Sequence, residues 1–144
     1  MTVYEQVRHW AAHAGHRIAV SVWRDGVATD LSYSALCDLA ALSAAAIRDR
    51  GVMPGDRVLL VLPNDESFVA AVLGCVAAGG VAVPAPLPTG RRPDAFQSRI
   101  LGIVADCSPS LVFTLAQWTA ELTALLPAHS WPTVLAWESV CSPT

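Results

Sequence analysis

Two histidines four residues apart, His9 and His13, with His16 close behind, stand at the spacing by which one helix face presents two imidazoles to a divalent metal. A zinc-protease arrangement needs a glutamate directly after the first histidine. In H-W-A-A-H that place is held by Trp10, and no carboxylate or fourth ligand is near in the sequence, so solvated helix-face histidines account for the pattern. Gly74, Gly79 and Gly80 fall at the end of a helical stretch, whereas a dinucleotide fingerprint places its glycines between a strand and a helix start. Asp65 and Glu66 open a helix, where acidic side chains complement the positive end of the helix dipole. Arg91 and Arg92 adjoin a proline-rich loop and suit a phosphate or carboxylate, as well as plain solvation. Ser32, Ser67 and Ser139 lack G-x-S-x-G surroundings and have no base to activate them. From these residues alone no catalytic, cofactor-binding or metal-ligating side chain is assigned.

The elements that would position such groups follow from periodicity. Thr2 and Glu5 have capping-box spacing ahead of Val3, Val7, Trp10 and Ala11, which predicts a first helix to about Ala14. Ile18–Trp23 and Val27–Leu31, separated by Arg24-Asp25-Gly26, predict a β-hairpin. Ser32 caps a helix over 33–50, with Leu36, Leu39, Ala40, Ser43 and Ile47 inward and Gly51 as its left-handed end. A turn at Pro54-Gly55-Asp56 leads into Arg57–Leu62, apolar on both faces as a central parallel strand should be. Asn64 is expected to cap the next helix, whose stripe is Phe68, Val69, Val72, Leu73 and Val76. A short strand at 81–83, a loop at 84–93 with four prolines, a helix over 94–106 carrying Phe96, Ile100, Ile103 and Val104, and a strand at 111–114 follow. A helix over 117–126, a turn at Pro127 and a strand at 133–136 finish the chain. The pattern after the hairpin is βαβαβαβ, which predicts an α/β fold with a mostly parallel sheet flanked by helices.

Composition sets the class. The 144 residues are one domain's worth, 1–144, large enough to bury roughly two-thirds of their surface without disulfides or metals. Hydrophobic residues are 53% and charged residues 15%, against about 25% in a typical domain, which excludes intrinsic disorder. All nine basic residues are arginine and oppose twelve acidic ones, for a net charge of −3; with no basic stripe, nucleic acid is not the expected partner. So few surface charges also suit a face covered by another polypeptide or by self-association. Cys37, Cys75, Cys107 and Cys141 lie more than thirty residues apart, without a C-x-x-C pair, and read as reduced core thiols. The first twenty residues hold Glu5, Arg8 and Arg17, so no secretory signal is drawn there and a cytoplasmic location is expected. The charge-free run 67–90 is long enough to span a membrane, but Gly79-Gly80 and Pro84, Pro86 and Pro88 break it.

Leu31-Ser32-Tyr33-Ser34-Ala35-Leu36, then Arg48-Asp49-Arg50-Gly51-Val52-Met53-Pro54-Gly55-Asp56-Arg57-Val58, then Leu62-Pro63-Asn64, stand in an order and spacing that resemble the start of adenylate-forming (AMP-binding) enzymes. That superfamily includes acyl-CoA synthetases, peptide-synthetase adenylation domains and fatty acyl-AMP ligases. The run 68–84 resembles its next helix and strand. Val83-Pro84-Ala85-Pro86-Leu87-Pro88 with Arg91-Arg92 is most similar to the fatty acyl-AMP ligases, as are Ile103-Val104-Ala105-Asp106, Pro109 and Leu111–Thr114. The resemblance covers nearly the whole chain and implies the N-terminal subdomain of the adenylate-forming fold.

It also implies an activity for complete members: ATP and a fatty acid give an acyl-adenylate and pyrophosphate, and the acyl group passes to the phosphopantetheine of an acyl carrier protein, in lipid or polyketide biosynthesis. The phosphate loop, the magnesium-binding glutamate, the ribose-binding aspartate and the catalytic lysine of such enzymes have no matching position here, and the chain contains no lysine. ATP and Mg²⁺ are thus expected for complete members and neither in this segment. The resemblance implies a segment inactive alone, partnered by the remainder of a ligase or by a complementary chain. Two alternatives are a non-catalytic interaction module binding a carrier protein, a synthase or itself, and a small-molecule binder using the cleft near 84–93.

Overall fold

A computed structural model describes residues 1–125 and 132–141. Helix α1 (Val3–Ala14) opens on the expected capping box: the Thr2 hydroxyl accepts from the Glu5 N–H at 3.2 Å, and the Glu5 carboxylate accepts from the Thr2 N–H at 2.6 Å. Strands β1 (Ile18–Arg24) and β2 (Val27–Ser32) form an antiparallel hairpin. Asp25 and Gly26 both have positive φ, 50° and 77°, as the two-residue turn that matches strand twist requires. Ser32 then caps α2 (Tyr33–Asp49), accepting from the Ala35 N–H at 3.1 Å, and Gly51 closes it at φ 81°.

The rest is β3 (Arg57–Val61), α3 (Glu66–Ala77), β4 (Val81–Pro84), α4 (Pro93–Cys107), β5 (Leu111–Thr114), α5 (Ala116–Ala124), β6 (Thr133–Ala136) and α6 (Trp137–Cys141). The four strands form one parallel sheet in the order β4-β3-β5-β6, as the βαβ rhythm predicts. Val58 and Leu60 face α2 and α3, alongside Ile47, Ala71 and Cys75; Leu59 and Val61 face α4 and α5, alongside Phe96, Ile100 and Leu122. Both faces are buried, which is why β3 reads as a continuous apolar run.

Several expectations are corrected. The cap of α3 is Asp65, not Asn64: the Asp65 backbone is extended and its carboxylate accepts from the Ser67 N–H at 2.9 Å and from the Ser67 hydroxyl. On α3 the expected stripe of large residues is mostly half-buried, while Ser67, Ala70, Ala71, Gly74 and Cys75 are fully buried with Leu73; at Gly74 the helix comes so close to α2 that a side chain has no room. Only Cys75 is a core thiol; Cys37, Cys107 and Cys141 are half-buried. Helix α6 was not expected, since it follows β6 without a turn signal, and its Trp137 packs on Phe113 with ring centroids 5.9 Å apart. Helix α5 starts one residue earlier than expected and ends at Ala124, with Leu125 as its cap; the turn at Pro127 and Leu126, the last residue expected in α5, lie outside the described residues. The charge-free run 67–90 is α3, β4 and a loop, and among the described residues no helix is long and apolar enough to cross a membrane.

The motif that carries the family resemblance is a structural junction. Arg48 donates to the Ala77 carbonyl at the end of α3, and Arg57 Nε donates to the Cys107 carbonyl at the end of α4, at 2.7 Å. The Gly55 N–H donates to the Gly79 carbonyl at 2.8 Å, and the Asp56 carboxylate accepts from the Met53 N–H at 2.9 Å. These contacts join the ends of α2 and α3 and tie the end of α4 to β3, so the groups that make them are engaged in structure.

Candidate functional site

In open parallel sheets ligands gather outside the carboxyl ends of the strands, where successive helices leave to opposite faces. Here α3 leaves β3 for one face and α5 leaves β5 for the other, so the division falls between β3 and β5. Thr114 ends β5 there. It is fully buried, and its hydroxyl donates to the Val61 carbonyl at 2.9 Å, so it ties the two strand ends together.

The loop 85–92 leaves β4 at the same end of the sheet and is anchored by the Ala85 N–H, which donates to the Leu60 carbonyl at 2.9 Å. Beside it lies an open cleft of about 400 Å³ whose lining includes Leu87, Arg91, Arg92, Ala95, Phe96 and Arg99. Phe96, 8% exposed, and the half-buried Leu87 supply apolar surface, and the three exposed guanidiniums supply the rim. Among the described residues none of these arginines forms an ion pair or donates a side-chain hydrogen bond; the two ion pairs both belong to Arg24. Guanidinium stays protonated and only donates, so the cleft can bind an anion but cannot exchange protons with it. The sequence paired Arg91 with Arg92 and missed Arg99. Its signal was available, because Ala95 and Arg99 are four apart on α4 and share a face.

The other sequence-derived residues do not converge. His9 and His13 are exposed and stacked, centroids 4.1 Å apart, with His13 Nδ1 donating to the His9 carbonyl at 2.7 Å. Among the described residues no three His, Cys, Asp or Glu side chains are grouped to hold a metal ion. Asp65 and Glu66 both pair with Arg24 of β1, at 2.8 and 2.7 Å. Ser32 and Ser67 serve the helix caps, and the Ser139 hydroxyl donates to the Ala136 carbonyl at 2.7 Å. Gly74 faces α2, and Gly79 packs beside Pro54. Burial pushes the thiols of Cys75 and Cys141 up to about 11 and raises those of Cys37 and Cys107, so none is a ready thiolate.

The family model for AMP-binding enzymes matches residues 7–140. The chain belongs to that family. Within the AMP-binding enzymes it is 27% identical to the long-chain-fatty-acid–AMP ligase FadD32 of Mycolicibacterium smegmatis, over 96% of this chain and 23% of the relative. It is 29% identical to the medium-chain-fatty-acid–[acyl-carrier-protein] ligase JamA of Moorena producens, over 90% of this chain and 23% of the relative. The crystal structure of a fatty acid AMP ligase from Legionella pneumophila superposes with a TM-score of 0.84 at 28% identity, covering 95% of this chain and 23% of that one. The expected fold and its place among adenylate-forming enzymes are thus confirmed. The chain spans about a quarter of the length of these relatives.

Proposed function

We propose that these residues are the opening part of a fatty acyl-AMP ligase, which activates a fatty acid with ATP as an acyl-adenylate and passes the acyl group to a carrier protein. The similarity over more than nine-tenths of the chain to two fatty-acid ligases carries this reading. The proline loop with Arg91 and Arg92 supports it, since that segment distinguished the branch in the sequence. In the reaction a carboxylate oxygen attacks the α-phosphorus of ATP and the bond to pyrophosphate breaks. The charge that develops must be met by oriented donors and a cation, and loss of one such donor costs about 100-fold to 1000-fold. The residues here do not fit ATP or Mg²⁺: the arginine cleft is open, and no acidic cluster exists among the described residues. Nucleotide and metal belong, in this proposal, to the remainder of the ligase. What this chain contributes is the parallel sheet and the helix junctions on which that remainder packs.

ATP–pyrophosphate exchange with medium- and long-chain fatty acids tests the proposal. The expected result is no exchange by the 144-residue chain, and exchange once the remaining ligase segment is supplied in trans or fused. Turnover by this chain alone would overturn it.

A second reading, an interaction module, is favoured by the β-hairpin, where Ile18, Trp23 and Val27 are 58%, 71% and 65% exposed. Sedimentation velocity separates the two: a dimer abolished by Trp23→Ser supports the module, and a monomer at high concentration counts against it.

A further inference from the structure

We infer that the arginine-rimmed cleft beside the proline loop is a docking surface for an acidic amphipathic helix of a carrier protein. The inference rests on the carrier-linked reading above and adds to it the place of contact. Three of the chain's nine arginines border this one cleft although the net charge is −3, and none is neutralised by a carboxylate among the described residues. Unpaired guanidiniums around apolar surface are what an acidic partner finds complementary: carboxylates meet the rim, and apolar side chains between them meet the half-buried Leu87 and the exposed Ala95. A helix suits this because residues three and four apart share a face, which places carboxylates and apolar groups on one side. The prolines at 84, 86, 88 and 93 fix φ along the loop, so little conformational freedom is lost on binding.

Other anions fit less well. Pro93 opens α4 and removes an N–H from the group of donors that binds phosphate at a helix start, and Arg92 provides no side-chain cap. All three guanidiniums are exposed, so a small anion would remain largely solvated. A nucleic acid strand needs exposed aromatic faces for stacking, and the one aromatic ring here, Phe96, is buried.

The test titrates the 144-residue chain with purified holo acyl carrier protein, by calorimetry, at low and moderate salt. One variant reverses the rim (Arg91→Glu, Arg92→Glu, Arg99→Glu); a control reverses three distant arginines (Arg8→Glu, Arg17→Glu, Arg50→Glu) and so changes net charge equally. Circular dichroism checks both folds. The expected result is binding that weakens with salt, falls at least about tenfold in the rim variant and stays within about twofold in the control. Equal binding by wild type and rim variant, equal losses in both variants, or no binding by the wild type would overturn the inference. So would pyrophosphate or dodecanoate binding more tightly than the carrier protein with the same dependence on Arg91, Arg92 and Arg99. Pyrophosphate exchange in the complemented ligase is read separately: exchange without carrier binding at the rim sinks the docking surface and leaves the ligase assignment standing.

Discussion

Gly74 of α3 lies against Ser43 of α2 so closely that a methyl group at position 74 would sit 2.4 Å from the Ser43 Cβ, and only 2.9 Å from the Ala44 nitrogen. Two helix backbones meet there, and glycine is required for space. Gly74→Ala should therefore destabilise the fold despite alanine's better helix propensity. Overpacking costs about 1–3 kcal/mol and the propensity gain returns about 1, for a net loss of up to about 2 kcal/mol in urea unfolding. Ser43→Gly should recover part of that loss in a double-mutant cycle, and strict additivity would show that the contact is not the cause.

Asp65 caps α3 and also receives Arg24 from the hairpin, whereas neighbouring Asn64 is exposed and does neither. Asp65→Ala should lower stability by about 1 kcal/mol through the lost cap, and Asn64→Ala should stay within about 0.5 kcal/mol. Amide exchange at the start of α3 would locate the effect. Equal losses at the two positions would contradict the assignment.

That pair also shows where sequence stops deciding. Both residues are good caps, and the choice rests on partners distant in the chain, Arg24 being 41 residues away. The parallel sheet was legible because Val58–Leu62 is apolar on both faces, and α2 because Ser32 and Gly51 mark its ends. The face of α3 was misjudged because periodicity ranks large side chains inward, and the close approach at Gly74 reverses that rank. In the candidate site Arg91 and Arg92 were visible as neighbours, but Arg99 joins them only once α4 is wound.

The Glu5 carboxylate is held below its ordinary value of 4.5 chiefly by the backbone N–H of Thr2. A depressed folded value means the stabilisation is present above the ordinary carboxylate range and is lost as pH falls through the folded value. On acidification below about pH 4.5 the first turn of α1 should lose amide protection before the sheet does. Glu5→Gln should show lowered protection there at neutral pH and little further change with acid. A pH profile unchanged by the substitution would remove Glu5 as the cause.

Thr114→Val keeps the shape of a fully buried side chain and removes one donor to the Val61 carbonyl. The loss should be about 1 kcal/mol, within the range for a buried hydrogen bond. Because Thr114 binds β5 to β3 at their carboxyl ends, the change should appear as faster amide exchange there. Wild-type stability in the valine variant would mean that the hydroxyl contributes nothing to holding the strand ends.

Cys75 lies in the core between α3 and the sheet, fully buried, with its thiol pushed up to about 11 by burial. At pH 8 only about one thiol in a thousand would be ionised, and the reagent must also reach it. Cys37 and Cys107 are half-buried and should react with a disulfide reagent first, Cys141 later, and Cys75 only at the rate of unfolding. The linkage has a definite sign. A thiol raised on folding adds stability that is intact below the unfolded value near 9 and disappears as pH rises towards about 11. Urea stability should thus fall between these values, and Cys75→Ala should flatten that part of the profile although it lowers stability at neutral pH. Mass spectrometry of partially labelled protein fixes the order of reaction, and early labelling of Cys75 would show that α3 opens without global unfolding.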